Sequence, residues 1–307
     1  MTTHAPSAPS SRGGLIPGIG AVLLWGLVPV AIRHFVADLD PLTFSAIRFM
    51  AMALLAMPLL IHAAPWRWPS RDIARLALCG IFSVPGLNIP SALAAKTISA
   101  GGLGMLAATE PIFIVLFALL LTRSGVGLSV IVGGAIALAG VFIAFSSSAV
   151  ALVDTANLGA AAVGLIGSAS LGLYTIVGAP LARRYGSRAL TGGVLVIGGA
   201  PGAMVLAPVT PPASWPGADV FIEIGLLTLS TTLGGFLLWN YAATMMRPAL
   251  LGLLLYLLPV VAILGGAVLL GEPLPLRDIL GGAVILLGVS IGEGRLRLPK
   301  ALAAQPD

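Results

Sequence analysis

The second half of this chain repeats the first half at a constant spacing of 148 residues. Residues 128–144 read LSVIVGGAIALAGVFIA, and residues 276–292 read LRDILGGAVILLGVSIG, with a Gly-Gly-Ala triplet in the same place. Without a gap, the same spacing places Pro111 on Pro259. Apolar segments match by chance more often than mixed ones, but a proline and several glycines in one register indicate an internal duplication. Duplication in so apolar a chain is typical of transporters built from two halves.

The composition places this chain in a lipid bilayer. Charged residues make up 9% of the 307 residues, the AVILMFWYC set makes up 58%, and the mean hydropathy is +1.06. Soluble domains carry about 25% charged residues. The apolar runs are continuous rather than alternating, which predicts helices and not barrel strands. The single cysteine, Cys79, and the three scattered histidines form no disulfide or metal-binding pattern, so no cofactor is expected.

The apolar runs predict an all-α polytopic membrane protein with ten transmembrane helices of about 20 residues each. The predicted spans are roughly residues 14–33, 41–63, 72–95, 102–121, 127–146, 157–178, 188–209, 218–243, 249–270 and 276–294. The predicted organisation is a disordered cytoplasmic tail (1–13), a first five-span repeat (14–146), an outer linker (147–156), a second five-span repeat (157–294) and a cytoplasmic tail (295–307).

The positions of arginine and lysine predict the orientation of the spans. With the N-terminus in the cytoplasm, twelve basic residues fall in inside segments and three in outside segments, so both termini are predicted to be cytoplasmic. The same distribution accounts for the net charge of +5, and nucleic acid is not an expected partner. Because each half has an odd number of spans, the second half enters the membrane from the opposite side. The predicted fold is therefore a pair of inverted repeats around a central cavity, with substrate near mid-membrane.

Several short motifs, taken as a set, resemble one known family. They are Leu24-Trp25-Gly26, Pro41-Leu42, Arg48-Phe49, AAKTISA over 94–100, Glu110-Pro111, Gly271-Glu272-Pro273-Leu274, Gly281 and Gly288. Over about residues 15–293 the chain resembles the EamA branch of the drug/metabolite transporter superfamily, and it is most similar to the bacterial aromatic-amino-acid exporters of the YddG-like group. One departure is Ser124, which stands where the repeat places the partner of Glu272. The resemblance implies ten transmembrane helices, export of small metabolites across the bacterial inner membrane, and a cavity lined mainly by spans 1, 3, 4, 6, 8 and 9.

Two charges lie inside predicted spans at similar depth. Glu110 is about eight residues into span four, and Arg48 is about seven residues into span two. At the helical rise of about 1.5 Å per residue, Glu110 lies about 12 Å along its span. Such charges are costly and usually face the bundle interior. We expect Arg48 and Glu110 to pair, directly or through water, either as a gate that exchanges with a substrate carboxylate or as a fixed structural pair. Lys96, at the outer end of span three, either meets a leaving carboxylate or extends to the interface.

Span three contains two prolines within six residues, which break or bend a helix and free backbone carbonyls. In a membrane such a break is tolerated only beside a cavity or another helix. Asn88 lies between the prolines, and it either hydrogen-bonds substrate or belongs to a packing kink. The predicted kink or hinge residues are Pro85, Gly86, Pro90, Pro111 and Pro259.

Aromatic residues fall on the spans that the resemblance assigns to the cavity. Aromatic faces suit a flat ring or a cation. The predicted substrate-binding residues are Trp25, Asn88, Lys96, Glu110, Tyr174, Trp239, Asn240 and Tyr256. The alternative is an interfacial aromatic belt, which fits Trp66, Trp68 and Trp215 and stays open for Trp239.

A zwitterion with an apolar side chain matches these residues best. One acid, one or two bases and several aromatic faces favour aromatic and other neutral amino acids as exported substrates. A phosphorylated substrate would need more basic residues inside the membrane. The alternative is export of other amphipathic metabolites or drugs on the same fold, with protons as coupling ions through Glu110. No nucleophile–base pair favours an enzyme, and the expected partners are a small-molecule substrate and the lipid bilayer.

Overall fold

The computed structural model describes residues 11–28, 35, 39–94, 97–98, 100–122, 125–145, 158–210, 215–271 and 274–296. Within these residues the chain is helical and has no strand. The first-half helices are α1 (Ser11–Gly26), α2 (Pro41–Ala63), α3 (Ser70–Ser83), α4 (Pro85–Ala94), α5 (Ala100–Ala107), α6 (Glu110–Thr122) and α7 (Leu128–Ala144). The second-half helices are α8 (Leu158–Tyr185), α9 (Ser187–Leu206), α10 (Ala218–Leu227), α11 (Gly235–Met245), α12 (Pro248–Leu253), α13 (Leu257–Leu270) and α14 (Leu276–Gly292). Short 3₁₀ segments cover Pro65–Arg67, Ala207–Val209 and Leu254–Tyr256, and a π-helical segment covers Thr228–Gly234.

Seven helical runs in the described residues are long and apolar enough to cross a membrane. They are Leu42–Arg67, Ser70–Ser91, Leu103–Thr122, Leu158–Tyr185, Ser187–Leu206, Ala218–Met245 and Pro248–Leu269. Two shorter apolar helices, Gly13–Gly26 and Leu128–Ala144, accompany them. The predicted all-helical polytopic membrane protein is therefore confirmed, whereas the number of ten spans and their inverted arrangement stay predictions.

The two repeated helices, α7 and α14, pack directly against each other through glycines. A Cβ atom added to Gly133 would lie 2.5 Å from the carbonyl oxygen of Gly288, and one added to Gly288 would lie 2.5 Å from that of Gly133. Gly140 and Gly281 face each other in the same way, at 2.7 Å in both directions. Only glycine fits at these positions, because the two backbones leave no room for a side chain. The helices run antiparallel, since the early Gly133 meets the late Gly288.

The glycine contacts of this interface stay the same when each residue is replaced by its counterpart in the other half. The spacing of 148 residues aligns Gly133 with Gly281 and Gly140 with Gly288, so each of the two glycine contacts is the counterpart of the other. Reciprocal contacts of this kind are what a local two-fold axis produces. Other helix pairs follow the same rule. α2 packs on α9, which is its counterpart in the second half. α1 packs on α11 and α13, and its counterpart α8 packs on α4 and α6, which are the counterparts of α11 and α13.

Helix interruptions occupy corresponding places in the two halves. In the first half the helix is interrupted at Val84, between α3 and α4, and at Ala108, between α5 and α6. The repeat spacing places Val84 on Thr232, inside the π-helical segment, and Ala108 on Tyr256, the last residue of a 3₁₀ segment. Interrupted helices in matching positions are typical of the region where the halves of a transporter surround a site.

The predicted kink residues lie at or near these interruptions. Pro85 begins α4 directly after the interruption at Val84, because a proline disfavours helical geometry in the residue before it. Pro90 lies inside α4, Pro111 is the second residue of α6, and Pro259 is the third residue of α13. The expected break in span three is thus present, and the role of these prolines as hinges stays a prediction.

Candidate functional site

The interruption between α5 and α6 leaves a buried carboxylate at the start of a helix. Glu110 is the first residue of α6, and 6% of it is exposed. The carbonyl of Leu106, freed by the interruption, accepts hydrogen bonds from the hydroxyls of Thr109 at 2.6 Å and Ser168 at 2.8 Å. Among the described residues, the side chain of Glu110 has neither a hydrogen bond nor an ion pair. A helix N-terminus favours a carboxylate, but a buried charge without a partner is otherwise costly and marks a functional candidate.

Arg48 is held by groups other than Glu110. Its Nη2 donates to Thr232 Oγ1 at 3.1 Å, and its guanidinium carbon lies 5.6 Å from the centroid of the Phe44 ring. Its Nε is buried and has no hydrogen-bond partner in the described part of the chain. Thr232 belongs to the π-helical segment, a feature that often accompanies functional sites.

The direct ion pair expected between Arg48 and Glu110 is therefore not formed in this structure. The physical reason is that the two charges lie on helices with different neighbours. α2, which carries Arg48, packs against α9 and the π-helical segment, whereas α6, which carries Glu110, packs against α8 and α12. Two charges at similar depth in a helical bundle meet only if their helices are neighbours. Contact through water stays a prediction.

Four aromatic rings from three helices form one cluster. Trp25 of α1 lies 5.5 Å from Phe236 and 5.3 Å from Trp239, both on α11, between ring centroids. Tyr174 of α8 lies 5.7 Å from Phe236. Tyr174 and Trp239 are fully buried, and Trp25 is partly buried. The cluster is thus closed on itself in this conformation, with the edge-to-face and tilted geometries that aromatic rings prefer.

A buried chain of polar groups runs beside the aromatic cluster. The hydroxyl of Tyr174 donates to Asn240 Oδ1 at 2.6 Å, and Asn240 Nδ2 donates to Thr191 Oγ1 at 2.9 Å. These bonds join α8, α11 and α9 through residues that are at most slightly exposed. The indole Nε1 of Trp239 is buried without a partner in the described residues, so it is a donor available to a ligand.

Sequence reasoning missed two members of this assembly. Phe236 precedes Trp239 by three residues, so helical spacing alone places both on one face of α11, and this signal was available. Thr191 precedes a glycine-rich apolar run, and nothing in the sequence marks it as the partner of Asn240.

Asn88 serves the interruption in span three. Its Nδ2 donates to the carbonyl of Val84 at 2.8 Å, and the same carbonyl also accepts the backbone N–H of Asn88 at 3.0 Å. The neighbouring Gly86 packs closely on α8, since a Cβ there would lie 3.1 Å from Ser170 Oγ. This geometry fits the packing-kink alternative, and a role for Asn88 in binding substrate stays a prediction.

Tyr256 and Pro111 line a small apolar cavity of about 230 Å³ between α6, α7 and the turn at the end of α12. Tyr256 is buried and forms no hydrogen bond with the described residues. The structure therefore brings Trp25, Tyr174, Trp239 and Asn240 into one assembly, places Pro111 and Tyr256 in a second, and leaves Arg48 and Asn88 apart from both. Lys96 lies outside the described residues.

The described chain is apolar and helical, and its repeated helices α7 and α14 pack against each other in antiparallel directions. The EamA-like transporter family matches the chain twice, over residues 12–146 and again over residues 158–291. The chain therefore belongs to the EamA-like transporter family.

Relatives cover nearly the whole chain. An uncharacterized transporter of Archaeoglobus fulgidus is 29% identical over 88% of this chain and 95% of its own length. The uncharacterized inner membrane transporter YedA of Escherichia coli K12 is 26% identical over 90% of both chains. A probable terminal-alkyne amino-acid exporter of Streptantibioticus cattleyicolor is 27% identical over 83% of this chain and 84% of its own. One crystal structure superposes with a TM-score of 0.78 at 19% identity, covering 92% of this chain and 96% of that one, which shows the fold alone.

Proposed function

We propose that this protein is a carrier of the bacterial inner membrane that exports aromatic and other neutral amino acids by alternating access between two inverted repeats. Membership of a transporter family supports transport as such. The observation that carries the mechanism is the reciprocal contact between Gly133 and Gly288, matched by that between Gly140 and Gly281. Helices related by a local two-fold axis in this way exchange their environments when the two halves exchange conformations.

The matched interruptions supply the places where such an exchange can occur. Val84 and Ala108 in the first half correspond to Thr232 and Tyr256 in the second. A helix bends most easily where its hydrogen-bond ladder is already broken. In the proposed cycle the α7–α14 pair stays fixed, and the interrupted helices of one half adopt the shape that their counterparts have just left. Both termini are cytoplasmic in this proposal.

The aromatic cluster and the unpartnered polar groups support an amino-acid substrate. Parting of Trp25 from Trp239 would expose ring faces for an apolar side chain together with the free Nε1 donor of Trp239. Glu110 offers a negative charge for an ammonium group, and Arg48 offers a positive charge for a carboxylate. The printed name of the S. cattleyicolor relative, a probable amino-acid exporter, favours the same chemistry.

Flux into liposomes that hold the purified protein tests this proposal. We expect radiolabelled tryptophan to enter faster than in protein-free liposomes, and unlabelled phenylalanine to compete more strongly than lysine or glutamate. A flux that saturates as the concentration of a neutral amino acid rises would support the assignment. Absence of tryptophan and phenylalanine transport, together with transport of other amphipathic compounds from a panel, would contradict the amino-acid assignment and leave the carrier mechanism intact.

A second candidate is a proton-coupled exporter of other amphipathic metabolites or drugs. The observation that favours it is Glu110, a buried carboxylate at a helix interruption with no partner among the described residues. Such a group is suited to bind and release a proton during the cycle. An imposed pH gradient should then raise substrate accumulation, and it should have no effect in a Glu110→Gln variant. A gradient that changes neither the rate nor the final accumulation would rule out proton coupling.

A further inference from the structure

A second and larger cavity lies away from the aromatic cluster, where the ends of four helices meet. It has a volume of about 650 Å³ and lies at the end of α2, the turn between α8 and α9, and the end of α11. Its polar lining residues are His62, Trp68, Arg183, Tyr185, Ser187, Arg188, Tyr241 and Thr244. No acidic side chain is among its lining residues, so the cavity presents a positive surface with hydroxyl donors.

The acidic residue nearest in the hydrogen-bond network is fully engaged by other groups. Asp72 accepts from Arg184 Nη1 at 2.9 Å and from the hydroxyl of Tyr185 at 2.7 Å, and Arg75 lies 3.6 Å from its second oxygen. These contacts neutralise Asp72 with arginines that do not line the cavity. The two arginines that do line it, Arg183 and Arg188, are left without an acidic partner in the described residues.

Arg183 is held in place by the backbone. Its Nη2 donates to the carbonyl of Met246 at 3.0 Å, which fixes the guanidinium while its other N–H groups stay available. Arg188 makes no hydrogen bond or ion pair with the described residues. A planar guanidinium binds phosphate oxygens with two parallel hydrogen bonds, so this pair of arginines forms one anchored and one adjustable contact for a phosphate.

Aromatic and apolar residues place this cavity at the level of lipid headgroups. Trp68 stacks on Tyr185 with ring centroids 3.6 Å apart and an angle of 7° between the rings. Around the cavity, Trp66 and Ile61 are each 60% exposed and Tyr241 is 46% exposed. Exposed Trp and Tyr next to apolar residues are typical of the membrane–water interface. The predicted orientation puts this side of the protein in the cytoplasmic leaflet, where anionic lipids attract basic residues.

We propose that this cavity binds the headgroup phosphate of an anionic phospholipid from the cytoplasmic leaflet. Arg183 and Arg188 bind the phosphate oxygens, the hydroxyl of Ser187 supplies a further donor, and the acyl chains follow the exposed apolar surface that includes Ile61. A soluble phosphate would use the same basic groups but none of the apolar surface. This inference does not depend on which substrate the carrier exports.

The test uses full-length protein purified in mild detergent. Its unfolding temperature is measured against increasing concentrations of dihexanoyl-phosphatidylglycerol, dihexanoyl-phosphatidylcholine and glycerol 3-phosphate. A ligand that binds only the folded protein raises the unfolding temperature, and at a given concentration a tighter ligand raises it more. The test variant is Arg188→Gln, and the matched control is Arg71→Gln, an exposed arginine on the same side of the protein but outside the cavity. Both variants are first compared with the unmodified protein without lipid, to verify that their folding is unchanged.

We expect phosphatidylglycerol alone to raise the unfolding temperature, and its apparent affinity to fall about tenfold in Arg188→Gln and hardly at all in Arg71→Gln. Equal effects of the two phospholipids would overturn the proposal, because both carry a phosphate and the net negative charge of an anionic lipid would then not be recognised. An equal effect of glycerol 3-phosphate would assign the cavity to a soluble anion instead. Equal loss in both variants would show diffuse attraction by surface charge rather than a site.

Discussion

The α7–α14 interface and the aromatic cluster lie in the same molecule but obey opposite rules. In the interface, Gly133, Gly140, Gly281 and Gly288 are repeated in sequence and their contacts are reciprocal. In the cluster nothing is repeated: the repeat spacing places Trp239 on a serine of the first half and Tyr174 on a glycine. The comparison teaches that the repeat is kept where the backbones of α7 and α14 meet and is lost among the residues proposed to select a substrate. The two regions should therefore respond differently to substitution.

The largest expected effect is on the interface. Gly140→Val would push side-chain atoms into the backbone of α14, since even its Cβ would lie 2.6 Å from the amide nitrogen of Ile285. Overpacking of this kind costs about 3 kcal/mol, so we expect a large fall in unfolding temperature and in the yield of monodisperse protein on size-exclusion chromatography. Gly282→Val, where a Cβ meets nothing within 4 Å, is the matched control. Equal losses in both variants would refute the argument from close packing.

The next effect is on transport without unfolding. Glu110→Gln keeps the shape of the side chain but removes its charge, so we expect tryptophan flux in liposomes to fall about tenfold, a loss of about 1.4 kcal/mol. The unfolding temperature should stay the same or rise, because an unpartnered buried carboxylate is costly. Glu223→Gln, on the exposed side of α10, should leave both quantities unchanged. If Glu110→Gln transports tryptophan as fast as the unmodified protein does, Glu110 has no role in the transport cycle.

A smaller effect belongs to the polar chain beside the cluster. Asn240→Ala leaves the hydroxyls of Tyr174 and Thr191 without their shared partner, which costs about 1–3 kcal/mol in a buried place. Chemical or thermal unfolding in detergent measures this loss. Ser230→Ala removes a hydroxyl that is exposed and bonded within its own helix, and it should cost far less. If the two variants lose the same stability, the chain from Tyr174 to Thr191 does not hold the three helices together.

The fold could be predicted in outline because its signals are local. Continuous apolar runs predicted helices, and Pro85 predicted the interruption that the structure places at Val84. The counterpart of that interruption at Thr232 had no such signal, because the π-helical segment TLSTTLG contains no proline. Thr232 in this segment accepts the hydrogen bond from Arg48, a tertiary contact that the local sequence does not reveal.

The site was less predictable because it depends on which faces of the helices meet. Helical spacing places Trp239 and Asn240 on α11, but only the packing of α8 and α9 around them selects Tyr174 and Thr191 as partners. Depth along the span, which suggested a pair between Arg48 and Glu110, does not reveal which helices are neighbours. That is why the direct ion pair was expected and is not formed, whereas the role of the aromatic residues in lining a cavity stays a prediction.

The central claim, that the two halves are inverted, is tested most directly by labelling one residue from each side of the membrane. Val126 and Leu274 occupy matching positions in the repeat, before α7 and α14, and both are at least partly exposed. Each is replaced by cysteine in a Cys79→Ala background and treated with a membrane-impermeant maleimide in intact cells. The inverted arrangement predicts that Leu274→Cys is labelled from outside and Val126→Cys only after permeabilisation. Labelling of both residues from the same side would contradict it.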